Sequence, residues 1–121
     1  MSYPEDLRYD EQYSWVRKEE DDTYSVGITK ATADEGEFVF VQLPETGTTL
    51  TKGDVYVTME SVKTTGTVTS PLSGEIIAVN EAVYDDPALI NQDPYGSWII
   101  RIKATTPEYD ELLTAAQRSN T

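Results

Sequence analysis

Short segments in which apolar and polar residues alternate run along the chain, separated by glycine, proline or acidic residues. Just before Lys63, Val55, Val57 and Met59 alternate with other side chains, which predicts a strand with one buried face. Residues 64–69 are rich in β-branched side chains, so a second strand is expected to run back beside the first. Lys63 would then lie at or near the tip of a hairpin, away from the body of the domain.

A lysine at such a tip can be reached by another enzyme, because its amine ends a flexible four-carbon side chain. A group attached to that amine could swing between partners. A solvated turn lysine without a special role also fits the pattern, and such lysines are common in proteins. The alternation alone leaves both interpretations open.

The same alternation predicts further strands, at 13–17, 23–29, 37–43, 74–80 and 98–103. Residues 37–43 are apolar at both alternating sets of positions, which predicts a strand buried from two sides. Trp15, Phe40 and Trp98 are expected to pack in the core. Many short strands separated by turn residues indicate a mainly β sandwich or barrel.

The predicted helices are short. Residues 30–36 predict one helical turn closed by a glycine cap, and residues 86–91 predict another with a proline at its first position. Apolar residues recur at helical spacing over 107–117, which predicts an amphipathic C-terminal helix. Residues 1–12 are polar, which predicts an arm lying on the surface.

Length and composition narrow the functional classes. A chain of 121 residues predicts a single domain, 1–121, with a modest core. The sequence contains no cysteine and no histidine, so it lacks the usual parts of disulfides, catalytic triads and zinc sites. We therefore expect a protein that has no catalytic residues and binds no metal.

The formal net charge is −13, from 22 acidic and 9 basic residues. Nucleic acid and anionic membrane surfaces would be repelled by this charge. The acidic surface can guide the protein to basic docking surfaces, or it can keep the protein soluble in a salty cytoplasm, and the sequence does not choose between the two. No apolar run approaches the ~20 residues of a membrane span, and no secretory signal is evident, so a cytoplasmic location is expected.

The residues around Lys63 form a motif. Glu60, Ser61, Val62 and Lys63 are preceded by LPETGTTLTKGD and followed by SPLSGEI, with FVFVQLP upstream and LINQDPYGSW downstream. In their order and spacing, which cover most of the chain, these segments resemble the lipoyl-attachment domain. More closely, they are similar to the glycine cleavage system H-protein family.

The resemblance implies a barrel-sandwich hybrid with short helices, and a carrier that is not an enzyme. By this resemblance, Lys63 would carry lipoate in amide linkage, and Glu60, Ser61 and Val62 would shape the turn and help the attaching enzyme recognise it. The implied partners are a lipoate ligase or lipoyl transferase and dihydrolipoyl dehydrogenase. The cofactor would perform the chemistry, while the protein would position it.

In the H-protein family, the loaded arm folds into a cleft in which carboxylates hold the amine of an aminomethyl group. One acid belongs to a His-Glu-Trp motif, and the other lies four residues after the lipoyl lysine. The matching positions in this chain are Ser14 and Thr67, so both acids are missing. A hydroxyl group can hydrogen-bond an amine, but it cannot offset the positive charge.

This departure favours an H-like lipoate-binding protein outside glycine cleavage, such as a sulfur-oxidation carrier that works with a heterodisulfide-reductase-like complex. One alternative is an H-protein with an altered cleft, working between glycine decarboxylase and aminomethyltransferase. A lipoyl relay protein and an unmodified β interaction module are the others. An intact mass would separate the unmodified module from the carriers.

Overall fold

The structure, a computed structural model, describes residues 3–105 and 108–119. In chain order, its strands are β1 (Arg8–Tyr9), β2 (Ser14–Lys18), β3 (Thr23–Ile28), β4 (Phe38–Gln42), β5 (Thr49–Leu50), β6 (Val55–Ser61), β7 (Thr65–Thr69), β8 (Gly74–Val79) and β9 (Ile100–Ala104). Its helices are α1 (Lys30–Ala33), α2 (Glu81–Asp85), α3 (Ala88–Gln92) and α4 (Ala115–Ser119), and a 3-10 turn spans Tyr109–Glu111.

The strands form two antiparallel sheets. The larger sheet has the order β1-β2-β3-β9-β8-β5, and the smaller has the order β4-β6-β7. Their inward faces enclose a large apolar core that includes Val26, Ile76 and Ile102 from the larger sheet and Val57 and Val68 from the smaller. This is the mainly β, barrel-sandwich architecture with short helices that the sequence predicts.

A second, smaller cluster surrounds Trp15, which is completely buried. The indole N–H of Trp15 donates to the carbonyl of Pro94 at 3.0 Å, so its polar atom is satisfied. Trp98 is half-buried and packs against this cluster, with the Arg101 guanidinium 4.1 Å from the centre of its ring. The core position predicted for Trp15 is confirmed.

The predicted hairpin of β6 and β7 is confirmed. Val57 and Met59 are buried as expected, but Val55 is half exposed and Tyr56 is buried in its place. A register shift between Val55 and Val57 moves the alternation by one residue at the start of β6. The expectation that Val55 is buried is therefore wrong.

Strand β4 is not buried from two sides. Val41 is buried, but Val39 and Phe40 are 54% and 40% exposed. Only one face of β4 packs on the core, through Val41 and the partly buried Phe38, and a register shift between Phe38 and Phe40 breaks the alternation. The predictions of a strand buried from two sides and of Phe40 in the core are both wrong.

The N-terminal segment is not a surface arm. Residues 1–2 lie outside the described residues, whereas Leu7 and Tyr9 are buried and pack in the cluster around Trp15. Strand β1 pairs with β2, which draws this segment onto the larger sheet. Residues 1–12 are mostly polar, but two of them belong to the core, so the prediction that this segment is an arm on the surface is wrong.

The predicted C-terminal helix over 107–117 is divided into two short elements, and its first residue lies outside the described residues. Leu112 is extended, with φ −73° and ψ 160°. Leu113 exchanges two backbone hydrogen bonds with Tyr9, at 2.8 and 2.9 Å. This pairing replaces the helical hydrogen bonds, so the prediction of one continuous helix is wrong, and α4 begins only at Ala115.

The other helical predictions hold in part. The helical turn at 30–36 exists, but it ends on Asp34, whose backbone is right-handed, and not on a glycine cap. Helix α3 begins one residue after Pro87, which stands at its N-cap. Helix α2, which was not predicted, begins where the side chain of Asn80 accepts a hydrogen bond from the N–H of Ala82 at 3.2 Å. None of the described helices is long and apolar enough to cross a membrane.

Candidate functional site

The turn between β6 and β7 is closed by Ser61. Its N–H donates to the carbonyl of Thr64 at 2.8 Å, and its Oγ lies 3.3 Å from both the N–H and the carbonyl oxygen of Thr64. The two residues between them, Val62 and Lys63, project into solvent, and Val62 is 84% exposed. The Lys63 amine is therefore carried at the hairpin tip, as the alternation predicts.

The hairpin is held on a rigid base. Strand β6 is the central strand of the smaller sheet and pairs with β4 on one side and β7 on the other. Val57 and Met59 anchor its inward face in the core, while Glu60 points to solvent. The tip can therefore present a side chain without disturbing the core.

A pocket of about 270 Å³ lies beside the hairpin. Phe38, Met59 and Val68 give it apolar walls, and the backbone from Thr64 to Thr67 forms one side. Thr64 and Thr65, which follow Lys63 directly, line this pocket, so an arm that extends from Lys63 would lie next to it.

The opposite wall of the pocket is fixed by Asn91 of α3. Its side-chain amide donates to the carbonyls of Ala33 and Gly36, both at 2.7 Å, and its Oδ1 accepts from the N–H of Phe38 at 2.9 Å. These three hydrogen bonds hold the segment from α1 to β4, including Glu35, against the hairpin.

Ser14 follows Tyr13, which lines the pocket, and is completely buried. Its hydroxyl group shares a hydrogen bond of 2.9 Å with the phenol of Tyr56. Burial raises the pKa of Tyr56, so the phenol remains protonated over the neutral range. Ser14 is also positioned by the Asp10 carboxylate, which accepts from its N–H at 3.1 Å and whose own pKa is raised by burial.

Comparison with known proteins gives the family. A family model described as Glycine cleavage H-protein matches residues 7–121. This chain belongs to that family. H-proteins are lipoyl carriers that generally act without catalysis of their own, so the exposed Lys63 and its neighbouring pocket lie in a carrier fold.

Individual H-proteins resemble the chain over most of its length. The glycine cleavage system H protein of Escherichia coli is 47% identical over 115 residues, which cover 93% of this chain and 89% of that protein. The same figures hold for the protein of that name from Salmonella paratyphi B. The crystal structure of a glycine cleavage system H protein from Mycobacterium marinum superposes with a TM-score of 0.89 at 38% identity, covering 98% of this chain and 97% of the other.

The two positions that differ from the H-protein cleft differ from each other in exposure in this chain. Thr67 is exposed and lines the pocket, whereas Ser14 is buried and engaged by Tyr56. Ser14 is not among the described residues that line the pocket, and its role as an arm-cleft residue stays a prediction. Within residues 60–63, Ser61 closes the turn and Val62 and Lys63 are exposed, and the attachment of lipoate at Lys63 stays a prediction.

No sequence motif pointed to Glu35. Among the described residues that line the pocket, Glu35 is the one with a carboxylate. It lies after α1, in a short segment without periodicity, and it reaches the pocket only because Asn91 fixes that segment. Tyr13, which precedes the buried Ser14, also lines the pocket and is 43% exposed.

Proposed function

We propose that this protein is a covalent lipoate carrier of the glycine cleavage type, with residues 1–121 acting as one domain and lipoate joined to Lys63 by an amide bond. The observation that carries the proposal is the exposed Lys63 at the tip of a rigid hairpin, next to a partly apolar pocket. The similarity of almost the whole chain to H-proteins supports it.

The residues at the site suit a lipoyl group. Lys63 is exposed, so an attaching enzyme can reach its amine, and Phe38, Met59 and Val68 offer apolar contacts to a hydrocarbon chain. Once attached, lipoate supplies a disulfide that can be reduced and can accept a fragment of substrate. The chain itself would position the arm and shield it from water.

The pocket also suits a cationic cargo. Glu35 is exposed at its edge, and the hydroxyl groups of Ser61 and Thr67 lie in the same lining. A carboxylate can offset the charge of an amine, so Glu35 can replace in part the acids that are missing at positions 14 and 67. This favours exchange of an amine-bearing cargo between glycine decarboxylase and aminomethyltransferase, with dihydrolipoyl dehydrogenase reoxidising the arm.

A second candidate function is a carrier in sulfur oxidation with a heterodisulfide-reductase-like complex. The observation that favours it is the absence of a carboxylate at both Ser14 and Thr67. A carrier of an uncharged or anionic fragment would not need these acids. The two candidates differ in whether glycine decarboxylase loads the arm.

The first prediction tests attachment. Incubation with a lipoate ligase, lipoate and ATP should add one lipoyl group, and peptide mapping should locate it at Lys63, because its hairpin presents the amine to solvent. Lys63→Arg should remain unmodified. Its free energy of unfolding should stay within about 0.5 kcal/mol of the wild-type value, since an exposed tip has little packing to lose. Lys52→Arg is the matched control and should be modified normally.

Modification at Lys52 in the wild type, or full labelling of Lys63→Arg, would show that the carrier lysine is elsewhere. Supplying the lipoylated protein to glycine decarboxylase with labelled glycine then separates the two pathways. Loading of the arm supports glycine cleavage. Failure to load, with Lys63 fully lipoylated, favours the sulfur-oxidation carrier.

A further inference from the structure

An open groove with both apolar and polar lining lies between the outer face of β4 and helix α2. Its volume is about 700 Å³. Phe40 and Tyr84 form its centre, with ring centroids 6.2 Å apart and an interplanar angle of 67°. These side chains are 40% and 53% exposed, and Leu43 and Val79 extend the apolar surface. Two exposed aromatic rings in one groove provide the anchors typical of a protein interface.

The charged residues of the groove are acidic. Glu81 and Asp85 of α2 are exposed at its edge, and none of the described residues that line it is basic. A surface with an apolar centre and a negative edge is complementary to a protein surface on which lysine or arginine residues surround an apolar side chain. The net charge of −13 extends the same attraction to longer range.

The position of the groove distinguishes two lysines. Phe40 lies opposite Glu60 in the pairing of β4 with β6, and Glu60 is three residues before Lys63 but eight residues after Lys52. Lys52 is also exposed, in the turn that precedes β6. At about 3.3 Å per residue, the strand position paired with Phe40 lies within about 10 Å of Lys63 along the chain, and within about 26 Å of Lys52.

We propose that the groove centred on Phe40 and Tyr84 is the docking site for the enzyme that attaches lipoate, and that docking there directs the reaction to Lys63. This inference rests on the proposed function. In the reaction, lipoate and ATP give lipoyl-adenylate and pyrophosphate. The Lys63 amine then attacks the acyl carbon, so an amide forms, AMP leaves and the amine releases a proton. The docking enzyme presents a basic surface around an apolar side chain.

The test measures docking with two pairs of variants. Phe40→Ser with Tyr84→Ser removes the anchors, and Val55→Ser is its control, because Val55 is 50% exposed at the other end of β6. Glu81→Gln with Asp85→Asn removes the negative edge. Its control is Glu20→Gln with Asp21→Asn, which changes the net charge equally in the turn between β2 and β3.

With a purified lipoate ligase, lipoate and ATP, the groove variants should raise the KM for the carrier about tenfold, the effect expected from losing interface anchors, while kcat at saturation is retained. The acidic variant should also reduce the salt dependence of KM. A second readout is binding of the ligase to chains that carry Lys63→Arg, in which no transfer occurs. The groove variants should weaken this binding by the same factor, and both controls should bind as the parent does.

The proposal is overturned if the groove variants, with unchanged melting temperatures, match their controls in KM and in binding. Lipoylation of Lys63 would then still support the carrier function, so only the docking site would fail. A wild-type chain that takes no lipoyl group would overturn both. A concentration-dependent dimer of the carrier that Tyr84→Ser abolishes would assign the groove to a second copy of the chain, and the proposal would likewise be wrong.

Discussion

At the scale of single residues, Ser14 and Glu35 differ in their access to the pocket beside Lys63. Ser14 is buried, shares a hydrogen bond with Tyr56, and is not among the described residues that line the pocket. Glu35 belongs to no motif and supplies a carboxylate to the pocket lining. Charge in the pocket is therefore decided by a residue outside the attachment motif.

Replacing Glu35 should change how firmly the pocket holds a cationic cargo. We expect Glu35→Gln to shorten the lifetime of an amine-bearing cargo on Lys63 about tenfold, because a charge-assisted hydrogen bond is lost. Thr67→Asp should lengthen this lifetime, since it adds a carboxylate to the same lining. Intact mass spectrometry over time measures the loss. Glu45→Gln, an exposed acid outside the pocket, is the control, and equal lifetimes for all three variants would contradict the role of Glu35.

The contribution of the buried Ser14–Tyr56 pair to the free energy of unfolding should depend on pH. Tyr56→Phe leaves the Ser14 hydroxyl without its partner and should lower the free energy of unfolding by about 1–2 kcal/mol at pH 7. Because burial raises the Tyr56 pKa above the usual value of 10, only the unfolded chain releases this proton just above pH 10. The wild type therefore loses stability there, and its advantage over Tyr56→Phe should shrink.

Denaturant unfolding of both chains at pH 7, 9 and 10.5 measures this difference. The other buried tyrosines are common to both chains and cancel in the comparison. A difference that is constant up to pH 10.5 would mean that Tyr56 ionises alike in the folded and unfolded chains.

At the scale of elements, the pocket is built from pieces that are distant in the sequence. The hairpin of β6 and β7 is a local structure, but its facing wall comes from the segment after α1 and is held by Asn91 of α3. Three hydrogen bonds from one side chain replace the regular secondary structure that this wall lacks. The shape of the pocket is therefore coupled to the position of α3.

Asn91→Ala should loosen that wall. We expect a loss of about 2–4 kcal/mol in the free energy of unfolding, since the carbonyls of Ala33 and Gly36 and the N–H of Phe38 lose their partner. Hydrogen exchange should accelerate at the Phe38 amide. Asn80→Ala is the control because Asn80 caps α2 and also bonds Trp98, so it should cost stability without exposing the Phe38 amide. Equal exchange at Phe38 in both variants would contradict the coupling.

The hairpin was predictable from sequence because its signals are local. One stretch of the chain contains the alternation through Val57 and Met59, the segment 60–63 and the β-branched residues after Lys63. The bulge that turns Val55 outward leaves no such signal, since it depends on the partner strand. The exposure of Phe40 was missed for a related reason, because apolar residues are found both in buried strands and on edge strands that carry an interface.

At the scale of the whole molecule, the net negative charge is the dominant feature. Because the 121 residues carry a net charge of −13, the acidic side chains repel one another, and this repulsion opposes the compact state. Screening by salt reduces it, with a Debye length of about 10 Å at 0.1 M and 3 Å at 1 M. The same charge attracts basic partners at low salt, so stability and docking should respond to ionic strength in opposite directions.

We expect the melting temperature to rise by about 4 °C, equivalent to about 1 kcal/mol, when KCl is raised from 0.05 to about 1 M. Thermal unfolding followed by circular dichroism measures this shift. A variant in which Glu20, Asp21, Glu45 and Glu75 are changed to the corresponding amides should show a smaller rise. A melting temperature that is independent of salt would show that the acidity does not limit stability and would favour a docking role alone.

The backbone pairing of Tyr9 with Leu113 has a consequence for how the protein is made. Leu7, Tyr9 and Trp15 share their cluster with Ala115, so a chain growing on the ribosome cannot complete this cluster until residue 115 has emerged. Contacts between segments so far apart in sequence form slowly. During synthesis, this cluster therefore stays incomplete after the Lys63 hairpin has been made, and that hairpin needs no later segment for its own strand pairing.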